Sequence, residues 1–406
     1  MIDTEIQKKF YNKLNIDEID VAGKKVFVRT DYDVPLDDEN NIKDDALIRA
    51  SLETISYLID NNAKIVLASH LGCPKGKFNP ALSLKPVARR LGELLHRNIP
   101  LLPDCIGTHV SQYINNLGEG EVILLENLRF HPGEKKDMDP FSAALNHGYD
   151  VYVNEAFGSC HRDHASISSL PKHIPLAVTG FHVKKEMNIF LQIMTDPQRP
   201  FVALLGGAKV SEKIGLIQKL LEKVDSLLIG GGMAYTFLKA IKFDVGNSLV
   251  EGEYLDIALE LLNEAQDLGV EFLLPVDNIV ARKTVDEVKT STVRNENIPS
   301  SWMALDIGPE TTRIYTEKIQ NARTVFWNGP VGVFEKELFC GGTQSIAQTI
   351  AESEAASIVG GGDTVLAINV FSLVDKMTHI STGNKASLQF LEGKILPGIA
   401  VLTDKS

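Results

Sequence analysis

Short apolar runs that read as buried strands alternate with helical periodicities along almost all of the 406 residues. That alternation restricts the chain to parallel sheets covered by helices on both faces. In the first half the strand-like runs are Lys25 to Arg29, Lys64 to Ser69, Val122 to Leu125 and Val151 to Val153. Between the first two, Ile48, Leu52, Ile55 and Ile59 recur at helical spacing, and Leu84, Val87, Ala88, Leu91 and Leu95 do so after the second. The second half repeats the pattern with Phe201 to Leu205, Ser226 to Ile229, Phe272 to Leu274, Thr324 to Trp327 and Ser357 to Val359. Helical stretches such as Ile214 to Val224 and Tyr254 to Leu268 separate them. The predicted class is α/β, with two doubly wound, Rossmann-like parallel-sheet domains. A chain of this length exceeds the usual size of one domain. Lys184-Lys185-Glu186-Met187 opens an amphipathic helix that Asp196-Pro197-Gln198-Arg199-Pro200 ends. Domains are therefore expected over 1–183 and 200–389, joined by a helix over 184–199.

The net charge of −12 argues against a nucleic-acid binder, which needs a basic face. No run approaches the roughly 18 apolar residues of a membrane span, and Met1 to Glu5 do not begin a secretory signal. The four cysteines, Cys73, Cys105, Cys160 and Cys340, form no CxxC pair, as expected for reduced thiols in a cytoplasm. An acidic protein that binds anions must concentrate its useful cations, so individual Arg and Lys positions carry information.

Glycine clusters follow strands in the second half: Gly206-Gly207-Ala208-Lys209, Gly230-Gly231-Gly232, Gly329-Pro330-Val331-Gly332 and Gly360-Gly361-Gly362-Asp363-Thr364. A glycine there lets backbone N–H groups approach a phosphate, and the helix that follows points its positive end at it. Any one cluster could equally be a simple turn; four at the same structural location favour phosphate. None fits a Walker A loop or GxGxxG. Lys209 and Lys213 are four apart where a helix is expected to begin, so their ammonium groups should share a face, as a phosphate pair or as solvated surface lysines. Asp363 is a candidate magnesium ligand. The first half instead places cationic or polar side chains at strand ends, namely Arg29, His70, Arg129 and Arg162, suited to carboxylate and phosphate or to structural ion pairs. His161-Arg162-Asp163 mimics a protein-kinase catalytic loop but lacks its asparagine, Ser168 standing there. Cys160, His161 and His164 lack a fourth zinc ligand at sensible spacing.

In this order, the blocks Val28 to Pro35, Ser69-His70-Leu71-Gly72, Glu126 to Phe130, Asn154 to Gly158, Gly206 to Lys213, Trp327 to Glu335 and Gly360 to Thr364 closely resemble the phosphoglycerate kinase family. The resemblance implies an N-terminal domain for 3-phosphoglycerate, a C-terminal domain for Mg²⁺ with ATP or ADP, and a hinge motion that closes them. Carried over by position, Asp31, Asp33, His70, Arg129 and Arg162 would meet the acid. Lys213, with Arg162, would serve the transferring phosphate. Gly207, Ala208, Lys209, Gly231, Asn328, Pro330, Gly361 and Gly362 would surround the nucleotide. Glu335 would hold the ribose, and Asp363 and Thr364 would sit at the metal and phosphates. Residues 390–406 would return to the first domain. Small-molecule substrates, no nucleic acid, no membrane and a monomer are implied.

The chain also departs from that pattern. Asp33 replaces an asparagine, Leu47 and Cys73 replace arginines, Asn384-Lys385 replaces two glycines of a Ser-Thr-Gly-Gly-Gly-Ala loop, and Asp163 replaces a small residue. Phosphoryl transfer depends on positioning and on charges that meet the equatorial oxygens. Losing one preorganised donor typically costs roughly 3–4 kcal/mol. Arg49 should not stand in for position 47, because two helical residues point about 200° apart. Lys385 could supply a cation from the opposite domain, or point to solvent. Slowed catalysis, a catalytically silent nucleotide-binding paralogue with a regulatory or scaffold role, and a kinase for a less anionic acceptor all remain compatible with these departures.

Overall fold

Strands Lys25–Thr30 (β1), Lys64–Ala68 (β2), Val122–Leu124 (β3), Val151–Glu155 (β4) and Leu176–Thr179 (β5) form one parallel sheet in the computed structural model, in the order β3-β2-β1-β4-β5. The structure describes residues 12–285 and 287–405. Because strand side chains alternate between faces, Val26, Val28, Ile65, Leu67, Val151 and Val153 share one core. Ile48, Ile55, Leu58, Val87 and Leu91 from the helices Ala46–Ala50, Leu52–Asp60 and Lys85–Leu95 close it. Phe27 and Tyr152, on the opposite face, stack with ring centroids 5.8 Å apart.

The second sheet is also parallel. Strands Phe201–Leu205 (β6), Ser226–Ile229 (β7), Glu271–Leu273 (β8), Thr324–Asn328 (β12), Ala356–Gly360 (β13) and His379–Ile380 (β14) lie in the order β14-β13-β12-β6-β7-β8. Val202, Leu204, Val325, Trp327 and Val359 pack there against Tyr315, Ile346 and Ile368. Strands Asp277–Ala281 (β9), Ser291–Arg294 (β10) and Met303–Ile307 (β11) make a small antiparallel sheet, β10-β9-β11. The sequence pattern missed β9, β10 and β11. Polar Asp277 and Asn278 interrupt β9, and β10 is mostly exposed, so neither presents an apolar run. The four-residue β5 and the two-residue β14 were also missed.

The chain divides into two compact units, one running to Leu191 and resuming at Lys394, the other spanning Gln192–Gly393. In the first unit the C-terminal segment is tied by Gly398 N–H to the Cys160 carbonyl at 2.9 Å and by Thr403 N–H to that of Ala177 at 2.8 Å. The helix expected over 184–199 runs from Phe181 to Thr195. It starts early because Thr54 Oγ1 accepts the Phe181 N–H at 2.9 Å and Glu155 accepts that of His182 at 3.1 Å. Those caps come from residues distant in sequence. No helix among the described residues is long and apolar enough to cross a membrane.

In each parallel sheet the strand order reverses beside the first strand, between β1 and β4 and between β6 and β12. Ligands in such sheets bind outside the carboxyl ends of the strands at that point.

Candidate active site

Beyond the carboxyl ends of the first sheet, β1 leads to Asp31 and Asp33, β2 to His70, β3 to Arg129 and β4 to Arg162. His70 is buried, with Nδ1 3.1 Å from Nη2 of Arg29. A guanidinium only donates, so Nδ1 accepts. Burial lowers the imidazole pKa, so the neutral ring carries its proton on Nε2. That atom lies 3.5 Å from Oδ2 of Asp33 and 3.8 Å from Oδ1 of Asp31. Asp33 also accepts the Gly72 N–H at 2.7 Å, and Arg129 donates to the Gly72 carbonyl at 2.8 Å. Partial burial raises the Asp33 pKa, but His70, the Gly72 amide and Arg129 together outweigh it and hold the carboxyl at about 2. Asp31 accepts from Ser159 Oγ at 3.2 Å.

Arg129 is almost buried, Arg162 half-buried, and the Nε of each is buried without an acceptor among the described residues. Burial and the nearby Arg29 lower the Arg129 pKa. Buried donors with unspent capacity favour an anion.

Arg29, grouped by sequence with these strand-end residues, is different. Its side chain is wholly buried and donates to Ser166 Oγ at 2.7 Å and to the Thr30 carbonyl. It lies 3.9 Å from Glu134, which accepts both the N–H and O–H of Ser166. Arg29 is the structural half of a buried network rather than a ligand contact. Nearby His164 is held neutral, its pKa lowered to about 3 by burial and by the arginines.

In the second unit the turns after β6, β7 and β12 pack directly on one another. Gly206 N–H donates to the Asn328 carbonyl at 3.0 Å, Gly207 N–H to that of Pro330 at 2.9 Å, and Gly231 N–H to that of Val331 at 3.1 Å. A Cβ on Gly206 would lie 2.1 Å from the Pro330 oxygen, so only glycine fits. Lys213 is buried at this junction and donates to the carbonyls of Gly206 and Asn328, each at 2.6 Å. Burial lowers its pKa to about 7.

After β13, Gly361 adopts φ +91°, a backbone conformation that L side chains rarely accept, and opens the helix Gly362–Val370. Asp363 is exposed in the first turn of that helix, while Thr364 is buried and accepts the Gly329 N–H at 2.7 Å. The buried Nδ2 of Asn328 has no acceptor among the described residues, and a Cβ on Gly361 would lie 3.0 Å from it. An unspent amide donor therefore faces the glycine turn.

A cavity of about 470 Å³ opens beside these turns, with Gly207, Ala208, Gly231, Pro330, Glu335 and Asp363 in its wall. Its size is that of a small-molecule site. Leu249, Met303, Leu305 and Val333 add apolar surface that the sequence reading did not anticipate, since isolated apolar residues look like core. Lys213, Asn328, Gly361, Gly362 and Thr364 do not line the cavity. Lys209 is exposed, with Nζ 3.8 Å from Glu212. The expected shared helical face of Lys209 and Lys213 is not formed: residues 208–213 lie outside any helix, and the helix starts at Ile214.

A sequence model described as phosphoglycerate kinase matches residues 16–394. A protein named phosphoglycerate kinase from Geotalea uraniireducens (strain Rf4) is 50% identical over 390 residues, covering 96% of this chain and 98% of the relative. The chain belongs to the phosphoglycerate kinase family. A second relative of that name, from Clostridium botulinum (strain Alaska E43 / Type E3), is 48% identical over 97% of this chain and 100% of its own. The solved phosphoglycerate kinase from Coxiella burnetii superposes with a TM-score of 0.87 at 39% identity, covering 96% of this chain and 98% of that one. The enzyme from Pyrococcus horikoshii OT3 gives 0.81 at 31% identity, with the same coverage.

The departures from the family pattern have distinct structural settings. Leu47 packs against the first core, and Arg49, on the same short helix, pairs with Asp45 at 2.8 Å. Cys73 is exposed, with Sγ 3.8 Å from Nζ of Lys135. Asn384 takes φ +46° ahead of the helix Lys385–Leu391, with Oδ1 3.8 Å from where a Cβ on Gly362 would stand, and Lys385 is exposed. Asp163 is exposed.

Among the described residues, the group with metal-ligand geometry is Asp104, Cys105 and His131, which sequence reading missed because His131 is remote in sequence from the adjacent Asp104 and Cys105. Asp104 Oδ1 accepts from His131 Nε2 and from the Cys105 N–H, both at 2.6 Å. Burial raises the Cys105 thiol well above its ordinary pKa. The group is accounted for as a hydrogen-bonded network.

Proposed function

We infer that this chain transfers a phosphoryl group reversibly between ATP and 3-phosphoglycerate. Membership of the family supports the activity, and the junction of glycine turns around Lys213 carries the chemical reading. A buried ammonium beside an unspent amide donor and a φ-positive glycine suits the oxygens of a transferring phosphate. Anion binding there would restore the Lys213 charge that burial disfavours.

On this reading the second unit holds the nucleotide. Gly207, Ala208, Gly231 and Pro330 lie against it, Glu335 meets the ribose, and Lys209, Asn328, Gly361, Gly362 and Thr364 serve the phosphates. Asp363 suits Mg²⁺, which takes one or two carboxylates together with phosphate oxygens. The exposed carboxylate in the first turn after Gly361 fits that requirement. The ion, when bound, neutralises phosphate charge. The first unit holds the acid through Arg129 and Arg162, while neutral His70 offers its Nε2–H and Asp31 and Asp33 orient His70 and accept substrate hydroxyls. Transfer is in-line, without a covalent enzyme intermediate. The enzyme acts as a cytoplasmic monomer with no nucleic-acid or membrane partner.

The silent-paralogue and less-anionic-acceptor readings gain no support from relatives that carry the kinase name. The thinned arginine complement instead predicts reduced turnover. A coupled assay with 3-phosphoglycerate and Mg-ATP, run beside calorimetric titration of each ligand, tests the reading. Turnover with both substrates is expected. Normal nucleotide binding without measurable acid binding would overturn it.

A further inference from the structure

We propose that the Lys135 ammonium is a substrate-binding cation of the acid site, taking the part of the arginine that position 73 lacks. The proposal rests on the acid-site reading above. Cys73 directly follows Gly72, whose N–H donates to Asp33 and whose carbonyl accepts from Arg129. Lys135 Nζ, 3.8 Å from Cys73 Sγ, is thus one residue from the backbone that fixes both side chains.

The placement is anchored. Lys135 ends the short helix Pro132–Lys135, and its neighbour Glu134 is buried with both carboxylate oxygens bonded to Ser166. Consecutive helical residues diverge by about 100°, so an inward Glu134 turns Lys135 toward the surface, where it is exposed. Among the described residues no carboxylate lies within ion-pair distance of Lys135, whereas Lys184 and Lys318 have partners at 2.9 and 2.6 Å. Its polar neighbour is a thiol, a weak acceptor that leaves the charge unspent.

Charge balance gives the cation a task. Arg129 and Arg162 contribute two positive charges, Asp31 and Asp33 two negative ones, and His70 is neutral. These side chains alone sum to zero, a poor complement to a phosphorylated carboxylic acid. Lys135 makes the sum positive.

The test compares wild type, Lys135→Met, Lys135→Arg and the double variant Cys73→Arg/Lys135→Met, using steady-state kinetics and calorimetric Kd for 3-phosphoglycerate. Lys135→Met should raise both the KM and the Kd of the acid about tenfold, as for loss of one charge-assisted contact, with the nucleotide KM unchanged. Lys135→Arg and the double variant should restore both. Because Lys135 is exposed, the thermal midpoint should not move. An unchanged acid Kd, equal shifts for both substrates, or no rescue by the arginine at position 73 would overturn the proposal. Wild type that binds the acid without turning it over would sink the kinase reading instead, while Kd still decides the role of Lys135. Wild type that does not bind the acid would sink both.

Discussion

Replacing Lys213 with methionine should lower turnover and also remove a pH dependence of stability that the buried ammonium creates. Its folded-state pKa falls from 10.5 to about 7 because burial disfavours the charge. Between those values the unfolded chain holds more protons than the folded one, so wild-type stability rises with pH across the window, and the burden is heaviest at pH 7 and below. At 1.36 kcal/mol per pH unit the whole effect is on the order of 5 kcal/mol. Integrated from pH 7 to pH 9 it comes to about 2 kcal/mol.

Methionine also leaves the Gly206 carbonyl without its donor, at about 1–3 kcal/mol, whereas the Asn328 carbonyl keeps the Gly206 N–H. That cost does not vary with pH, so the slope is diagnostic and the absolute difference is not. Both tryptophans, Trp302 and Trp327, lie in the second unit, so their fluorescence in urea titrations reports on the unit that contains Lys213. The stability of the variant relative to wild type should decline by about 2 kcal/mol between pH 7 and pH 9, and kcat should fall by roughly 10²–10³. Parallel pH profiles for the two proteins would refute the claim that the ammonium is held against its solvation.

Asp33→Asn removes a carboxylate 3.5 Å from His70 and 3.8 Å from Arg129. It should lower the KM for 3-phosphoglycerate by about threefold to tenfold. Because Asp33 is ionised down to about pH 2, the gain should stay flat across pH 5–9, and a raised KM would contradict the reading. Glu155 is pushed up to about 8 by burial, so the folded state holds its proton where the unfolded chain has released it. Stability then falls as pH rises from about 4.5 to 8, and Glu155→Gln should flatten that decline in urea titrations followed by circular dichroism. Lys385→Ala should reduce kcat about tenfold if the lysine after Asn384 meets the transferring phosphate; undiminished turnover would dismiss that role.

Most strands of the two parallel sheets were legible because they are buried and read as unbroken apolar runs. The antiparallel sheet was not, because Asp277 and Asn278 occupy strand positions while bonding inward to Thr311 and Asn295. The start of the helix Phe181–Thr195 was displaced because its caps, Thr54 and Glu155, are remote in sequence. In the cavity of the second unit the glycines announced themselves. Leu249 and Met303, which sequence treats as ordinary apolar residues, become wall only once the chain is folded.

The first site shows why charge at a strand end is an incomplete signal. Arg29 and Arg129 offer the same cue, an arginine at or just beyond a buried strand, yet their environments differ in hydrogen-bond capacity already used. Arg29 gives its donors to Ser166, Thr30 and His70, with Glu134 alongside. Arg129 retains a buried Nε with no acceptor among the described residues, and so does Arg162. Folding has consumed one guanidinium and left two with donors still to place. The Asn328 amide meets the same criterion, with a buried Nδ2 that has no acceptor among the described residues. Unspent buried donors can be satisfied by a ligand that the chain does not supply, and two of them, on Arg162 and Asn328, follow or end the strands β4 and β12 that flank the reversals of strand order.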